Sequence, residues 1–165
     1  MKQALIRIAL LPMAMFATTV AVAEDELPRE LLLRCELKNT TFIVSGGKTD
    51  FHDDTEVKDF HLKDGIFEFT SGYVPLGTSC RLIDGKIGCK FSKTSARKSG
   101  QVGSVQLGPS VEKRESRVLL TRATGEIHVF IQTQTYDGES IKGTPSFTMT
   151  SNMEGVCRTI GKPLF

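Results

Sequence analysis

Several short segments carry residue types that could do chemistry. Gly47-Lys48-Thr49 matches the end of a phosphate-binding loop. Such a loop needs a glycine five positions before its second one, where backbone N–H groups begin to cradle the phosphates, and Phe42 stands there. Ser95-Ala96-Arg97-Lys98 and Ser110-Val111-Glu112-Lys113 both read Ser-x-x-Lys. A serine nucleophile activated this way needs a helix start and partner motifs, and neither segment has them. No Gly-x-Ser-x-Gly elbow occurs. Asp50, His52, Asp53 and Asp54 offer ligands to a cation, but the glycine and the twelve-residue spacing of a calcium loop are missing. That stretch, residues 48–56, reads as a solvated acidic loop. His61 and Glu68 could act as an acid–base pair, with a surface ion pair as the plainer reading. His128 has polar neighbours and reads as exposed. The sequence therefore predicts no catalytic constellation, no cofactor and no metal site.

The elements that must position these residues read as strands. After residue 30 the apolar residues do not recur at the helical period; alternating segments and turn dipeptides take their place. Leu31–Leu37 forms a candidate first strand, and Asn39–Ser45 a second that ends at Gly46-Gly47. Asp64-Gly65 is a two-residue hairpin turn, which sets Leu62 opposite Phe67, Phe60 opposite Phe69 and His61 opposite Glu68. Asp84-Gly85 repeats the signal and sets Leu82 opposite Ile87. Residues 92–116 are poor in apolar groups and read as one long polar loop, with room for a short strand at Val102–Leu107. Arg117–Arg122 and Glu126–Tyr136 form the clearest pair, turning at Ala123-Thr124-Gly125, with Ile127, Val129 and Ile131 on one face. Phe147–Thr150 and Met153–Arg158 are candidate last strands. About eight to ten short strands at this spacing predict an all-β fold, a small antiparallel barrel or sandwich.

The cysteines are the most informative residues. An even number, four, in an exported chain favours disulfides. The Asp84-Gly85 register places Cys80 opposite Cys89 in a non-hydrogen-bonded pair, where Cα atoms lie about 4.5 Å apart. Cys35 and Cys157 remain, and their bridge would tie the first strand to the last. A zinc site would need closely spaced cysteines or nearby histidines, which the chain lacks.

Residues 1–23 have the three parts of a secretory signal peptide. Lys2 and Arg7 form the basic start, Ile8–Val22 is an uncharged apolar run of 15 residues, and Ala21-Val22-Ala23 is a small-x-small cleavage site. Roughly 18–20 apolar residues are needed to span a bilayer, so the run is too short for an anchor. Cleavage after Ala23 leaves one β domain over residues 24–165. The 21 Lys+Arg and 19 Asp+Glu of the whole chain then become equal, because the leader holds two bases and no acid. A neutral mature chain gives no reason to expect nucleic-acid or anionic-membrane binding. Phe165 ends the chain as in outer-membrane barrels, but Pro163, Gly161, Thr159 and Cys157 do not form the apolar face such a final strand needs. No stable membrane insertion of the mature chain is expected. Asn39-Thr40-Thr41 is a glycosylation sequon with no use in a bacterial chain.

Taken in order, the signal peptide, Leu33-Arg34-Cys35, the Cys80 to Cys89 hairpin, Arg122-x-Thr124-Gly125-Glu126, Gly155-x-Cys157 and the Pro163-x-Phe165 ending resemble small uncharacterised exported proteins of Gram-negative, especially alphaproteobacterial, type. That group has no assigned activity. The resemblance implies a periplasmic or secreted compartment and a β fold, and it carries over no functional residue. The leading expectation is a non-catalytic binding or envelope-associated domain whose partner is a protein or small ligand. A small-ligand carrier with a barrel cavity is the alternative, and a hydrolase with an unrecognised constellation is the third reading.

Overall fold

The computed structural model describes residues 26–71, 75–102 and 105–160, with residues 101–107 described by their backbone only. Eleven strands run in the order β1 (Glu30–Ser45), β2 (Lys48–Lys63), β3 (Ile66–Phe69), β4 (Pro75–Gly77), β5 (Arg81–Ile83), β6 (Lys86–Arg97), β7 (Gly100–Val102), β8 (Val105–Leu107), β9 (Ser110–Thr121), β10 (Glu126–Asp137) and β11 (Phe147–Thr159). Nine of them form one antiparallel sheet in the order β4-β3-β2-β1-β11-β10-β9-β6-β5, and β7 pairs only with β8. The sheet curls into a half-barrel.

The hairpin turns set the registers. Asp64-Gly65 and Asp84-Gly85 both take positive φ at each central residue, 49° and 77° in the first and 50° and 72° in the second. This is the turn geometry whose twist matches the flanking strands. Phe60 pairs with Phe69, Leu62 with Phe67 and His61 with Glu68. Leu82 pairs with Ile87 and Arg81 with Gly88. These pairings are the ones the dipeptides predict.

Both disulfides form as the register requires. Cys80 and Cys89 are bridged with their Cα atoms 4.0 Å apart. Cys35 and Cys157 are also bridged at 4.0 Å, across a sequence separation of 122, and they are direct partners in the β1–β11 ladder. First and last strands are thus neighbours in the middle of the sheet.

Three expectations need correction. Residues 48–56 are not a loop but the start of β2, paired residue for residue with β1 from Lys48 to Lys63. Their polar character fits a strand exposed on both faces. Residues 92–116 are not a long loop either: β6 continues to Arg97, β9 begins at Ser110, and the two pair throughout. Between them, β7 and β8 make a small hairpin instead of a single short strand. Finally, at each end of the chain two predicted short strands are one long strand. Glu30–Ser45 is one strand of 16 residues and Phe147–Thr159 one of 13.

The long strands divide the molecule into two halves. In one half the inward side chains Leu33, Cys35, Leu37, Phe60, Leu62, Phe67, Leu76, Ile87, Cys89, Val118, Leu120, Ile127, Val129, Ile131, Met153 and Cys157 pack into a single core. Phe60 stacks at 5.3 Å on Phe67 and 5.0 Å on Phe69. Segment 75–83 closes this half. The Thr78 N–H donates to the Lys90 carbonyl at 3.0 Å, and the buried Ser116 Oγ donates to the Leu76 carbonyl at 2.7 Å. Gly77 allows this approach, because a Cβ there would lie 2.2 Å from Cys89 Cβ. In the other half no strand among the described residues packs over the sheet, although Val111 and Tyr136 are buried on the face turned away from the core. Residues 38–57, 91–97, 110–115, 132–137 and 147–150 flare away from the core as a six-stranded sheet.

Candidate functional site

Alternation along each strand assigns every residue of the flared sheet to one of two faces. The face continuous with the core carries Asn39, Thr41 and Ile43 of β1; Asp54, Glu56 and Lys58 of β2; and Phe147 and Met149 of β11. Thr133 and Thr135 of β10, Glu112 and Arg114 of β9 and Phe91, Lys93 and Ser95 of β6 complete it. Most of these residues are half-buried, because the curl of the sheet shelters them. The result is an open trough, apolar at Ile43, Phe91, Phe147 and Met149 and otherwise polar.

The trough has a polarity of charge. Arg114 lies directly opposite Lys93 on β6 and Thr133 on β10. Its Nε is shielded from solvent without a hydrogen-bond partner, and burial lowers its pKa against the opposing pull of Glu112. On the far side Lys58 Nζ lies 2.9 Å from Glu56 Oε1. That oxygen has no partner that meets hydrogen-bond geometry, so the contact is ionic and poorly directed. Thr41 and Ser151 share a hydroxyl hydrogen bond of 2.8 Å across the floor. Sequence reasoning missed Arg114 and Ser116 by placing them in a loop. The alternation Leu120, Val118, Ser116, carried back in phase to Arg114, was the available signal.

The opposite face is more exposed. Phe42 and Phe51 meet edge to face at 5.1 Å near the β1–β2 turn, where Phe51 keeps 55% of its surface exposed. Farther along, Arg117, Leu119, His128, Phe130, Asn152 and Glu154 line a shallow open depression. His128 Nδ1 lies 3.4 Å from Glu154 Oε1, both side chains being largely exposed. Near the closed half, Arg34 donates two hydrogen bonds of 2.8 Å to the two oxygens of Asp59. These bonds raise the pKa of Arg34 and lower that of Asp59.

The motif residues scatter. Gly46 and Gly47 form the β1–β2 turn, which no helix follows, so Lys48 and Thr49 continue into β2. Asp50, His52 and Asp54 face the trough while Asp53 faces away, accepting from Thr40 at 3.3 Å and pairing with Lys38 at 3.3 Å. Ser95 ends up inside β6 with Lys98 beyond its end, and Ser110 and Lys113 point to opposite faces of β9. His61 lies opposite Glu68 as predicted, but its Nε2 bonds Glu30 Oε1 at 2.9 Å. β2 has a neighbour on each side, and only the β3 side was legible in the hairpin. The proposed signal peptide and its cleavage site after Ala23 lie outside the described residues, as does Phe165.

No family model matches the chain, and no curated protein is significantly similar to it.

Proposed function

We propose that the chain is an exported, non-catalytic binding domain that works in the periplasm or outside the cell and engages an envelope partner through its flared sheet. One observation carries this reading. The buried apolar side chains gather in one core in the closed half, whereas among the described residues no strand packs over the flared half, whose core-side face is an open trough with sheltered polar groups. Binding groups on a rigid sheet stapled by two disulfides lose little freedom on association. The disulfides themselves are compatible with an oxidising compartment.

Two measurements test the reading. Exported protein should have the intact mass of a chain that begins at Glu24; a mass retaining residues 1–23 would refute the export route. A photo-crosslinking side chain placed at Thr133 in the trough should give one discrete adduct in cells. The same probe at Arg122, at the distant β9–β10 turn, should give none. Equal, diffuse labelling from both positions would refute the trough as a binding surface. The small-ligand carrier remains the second reading, supported by the same trough, and native mass spectrometry showing a co-purified small molecule would favour it.

A further inference from the structure

Among the described residues, the flared sheet ends in two open strand edges. On the β2 side, β3 covers only residues 60–63, and the last bond is from the Thr70 N–H to the Asp59 carbonyl. On the β6 side, β5 covers residues 86–88, and the last bond reaches the Lys90 carbonyl. Residues alternate in the direction of their main-chain groups. The outward N–H and C=O groups are therefore those of Thr49, Phe51, Asp53, Thr55 and Val57 on β2, and of Ser92, Thr94 and Ala96 on β6. Neither edge has a proline, and neither has a bulge in its ladder. Such edges are templates for further pairing unless something blocks them.

The two edges carry opposite charge. The open part of β2 holds Asp50, Asp53, Asp54 and Glu56 against Lys48 and Lys58. β6 and its exit hold Lys90, Lys93, Arg97 and Lys98 with no carboxylate. Among the described residues, Asp50, Asp54, Lys93 and Arg97 make no ion pair. Like edges repel each other and unlike edges attract.

We propose that the chain pairs with a second copy of itself, the open edge of β2 in one copy hydrogen-bonding antiparallel to the open edge of β6 in the other. The strand count fits. The flared sheet runs β2-β1-β11-β10-β9-β6, all antiparallel, so its two outer strands point in opposite directions. A copy related by a two-fold axis along the strands presents β2 antiparallel to β6 at both seams. Both edges of both copies are then satisfied in a closed dimer.

One register satisfies both faces. With Thr94 opposite Asp53, the trough side sets Lys93 against Asp54 and Arg97 against Asp50. The other side sets Phe51 against Ala96. Ala96 already neighbours Val111, which neighbours Tyr136, and Phe51 neighbours Phe42. The seam thus joins two short apolar rows into one, Phe42-Phe51-Ala96-Val111-Tyr136. Phe51, exposed in the single chain, gains an apolar neighbour.

The test is a charge exchange read by light scattering behind size exclusion at low ionic strength. The mature chain should be dimeric at high micromolar concentration and dissociate with added salt. The variant Lys93→Glu/Arg97→Glu sets carboxylate against carboxylate at both paired positions of the seam, and Asp50→Lys/Asp54→Lys sets cation against cation there. Each alone should associate at least about tenfold more weakly. Mixed together, they should form a one-to-one heterodimer, because each acidic edge then meets a basic one. Restored association also shows that both variants fold. A mature chain that stays monomeric, a dimer that either variant leaves intact, or a mixture that fails to associate would each overturn the proposal.

Discussion

The hydroxyl of Ser116 on β9 donates to the carbonyl of Leu76 on β4, 2.7 Å away and out of reach of solvent. This bond joins an end strand of the sheet to a strand six places along it, so it helps close the half-barrel around its core. Replacing Ser116 with Ala leaves the Leu76 carbonyl buried without its donor. An unsatisfied buried acceptor costs about 1–3 kcal/mol. Urea unfolding should show Ser116→Ala less stable by that amount, while the exposed Ser92→Ala changes stability by less than about 0.5 kcal/mol.

The two disulfides should contribute unequally. Loop entropy gives roughly 5 kcal/mol for Cys35–Cys157 and about 2.5–3 kcal/mol for Cys80–Cys89. The paired substitutions Cys35→Ser/Cys157→Ser and Cys80→Ser/Cys89→Ser, compared by denaturant unfolding, should rank in that order. Digestion followed by non-reducing mass spectrometry checks the pairing itself, and a peptide linking Cys35 to Cys80 or Cys89 would contradict it.

Asp59 provides an acid-side dependence. Its carboxyl is held below the ordinary carboxylate range, first by the hydrogen bonds from Arg34. A group depressed in the folded state contributes stability above its unfolded pKa, near 3.9, and that contribution disappears as pH falls through the lower folded value. The pair is exposed, so the effect is small. NMR titration of Arg34→Gln should move the Asp59 midpoint upward toward the ordinary value. An unchanged midpoint would show that Arg34 is not the cause.

Residues 92–116 provide a test of strand against loop. Replacing the whole stretch with a Gly-Ser linker removes the outer half of β6, the buried Val111 and the Ser116 bond. Thermal melts should show a large loss of stability or no cooperative transition. Replacing only residues 99–108, which span the separate β7–β8 hairpin, should change stability by less than about 1 kcal/mol.

Features that depend on local geometry were legible in the order of the residues. Asp64-Gly65 and Asp84-Gly85 define two turns, each turn defines a register, and the second register pairs Cys80 with Cys89. Cys35 and Cys157 then pair by elimination, and the alternation of Ile127, Val129 and Ile131 marks a core face. The fate of residues 48–56 and 92–116 was not legible there and follows from long-range pairing. Their side chains are largely polar on both faces, so they show none of the apolar–polar alternation by which a half-buried strand is read from sequence. They are strands because each pairs with a neighbour whose register is set elsewhere, β2 by the Gly46-Gly47 turn with β1 and β6 through the whole β9 ladder. The trough around Arg114 and the two charged edges are products of that pairing. Long-range backbone hydrogen bonds, rather than local composition, placed their residues side by side.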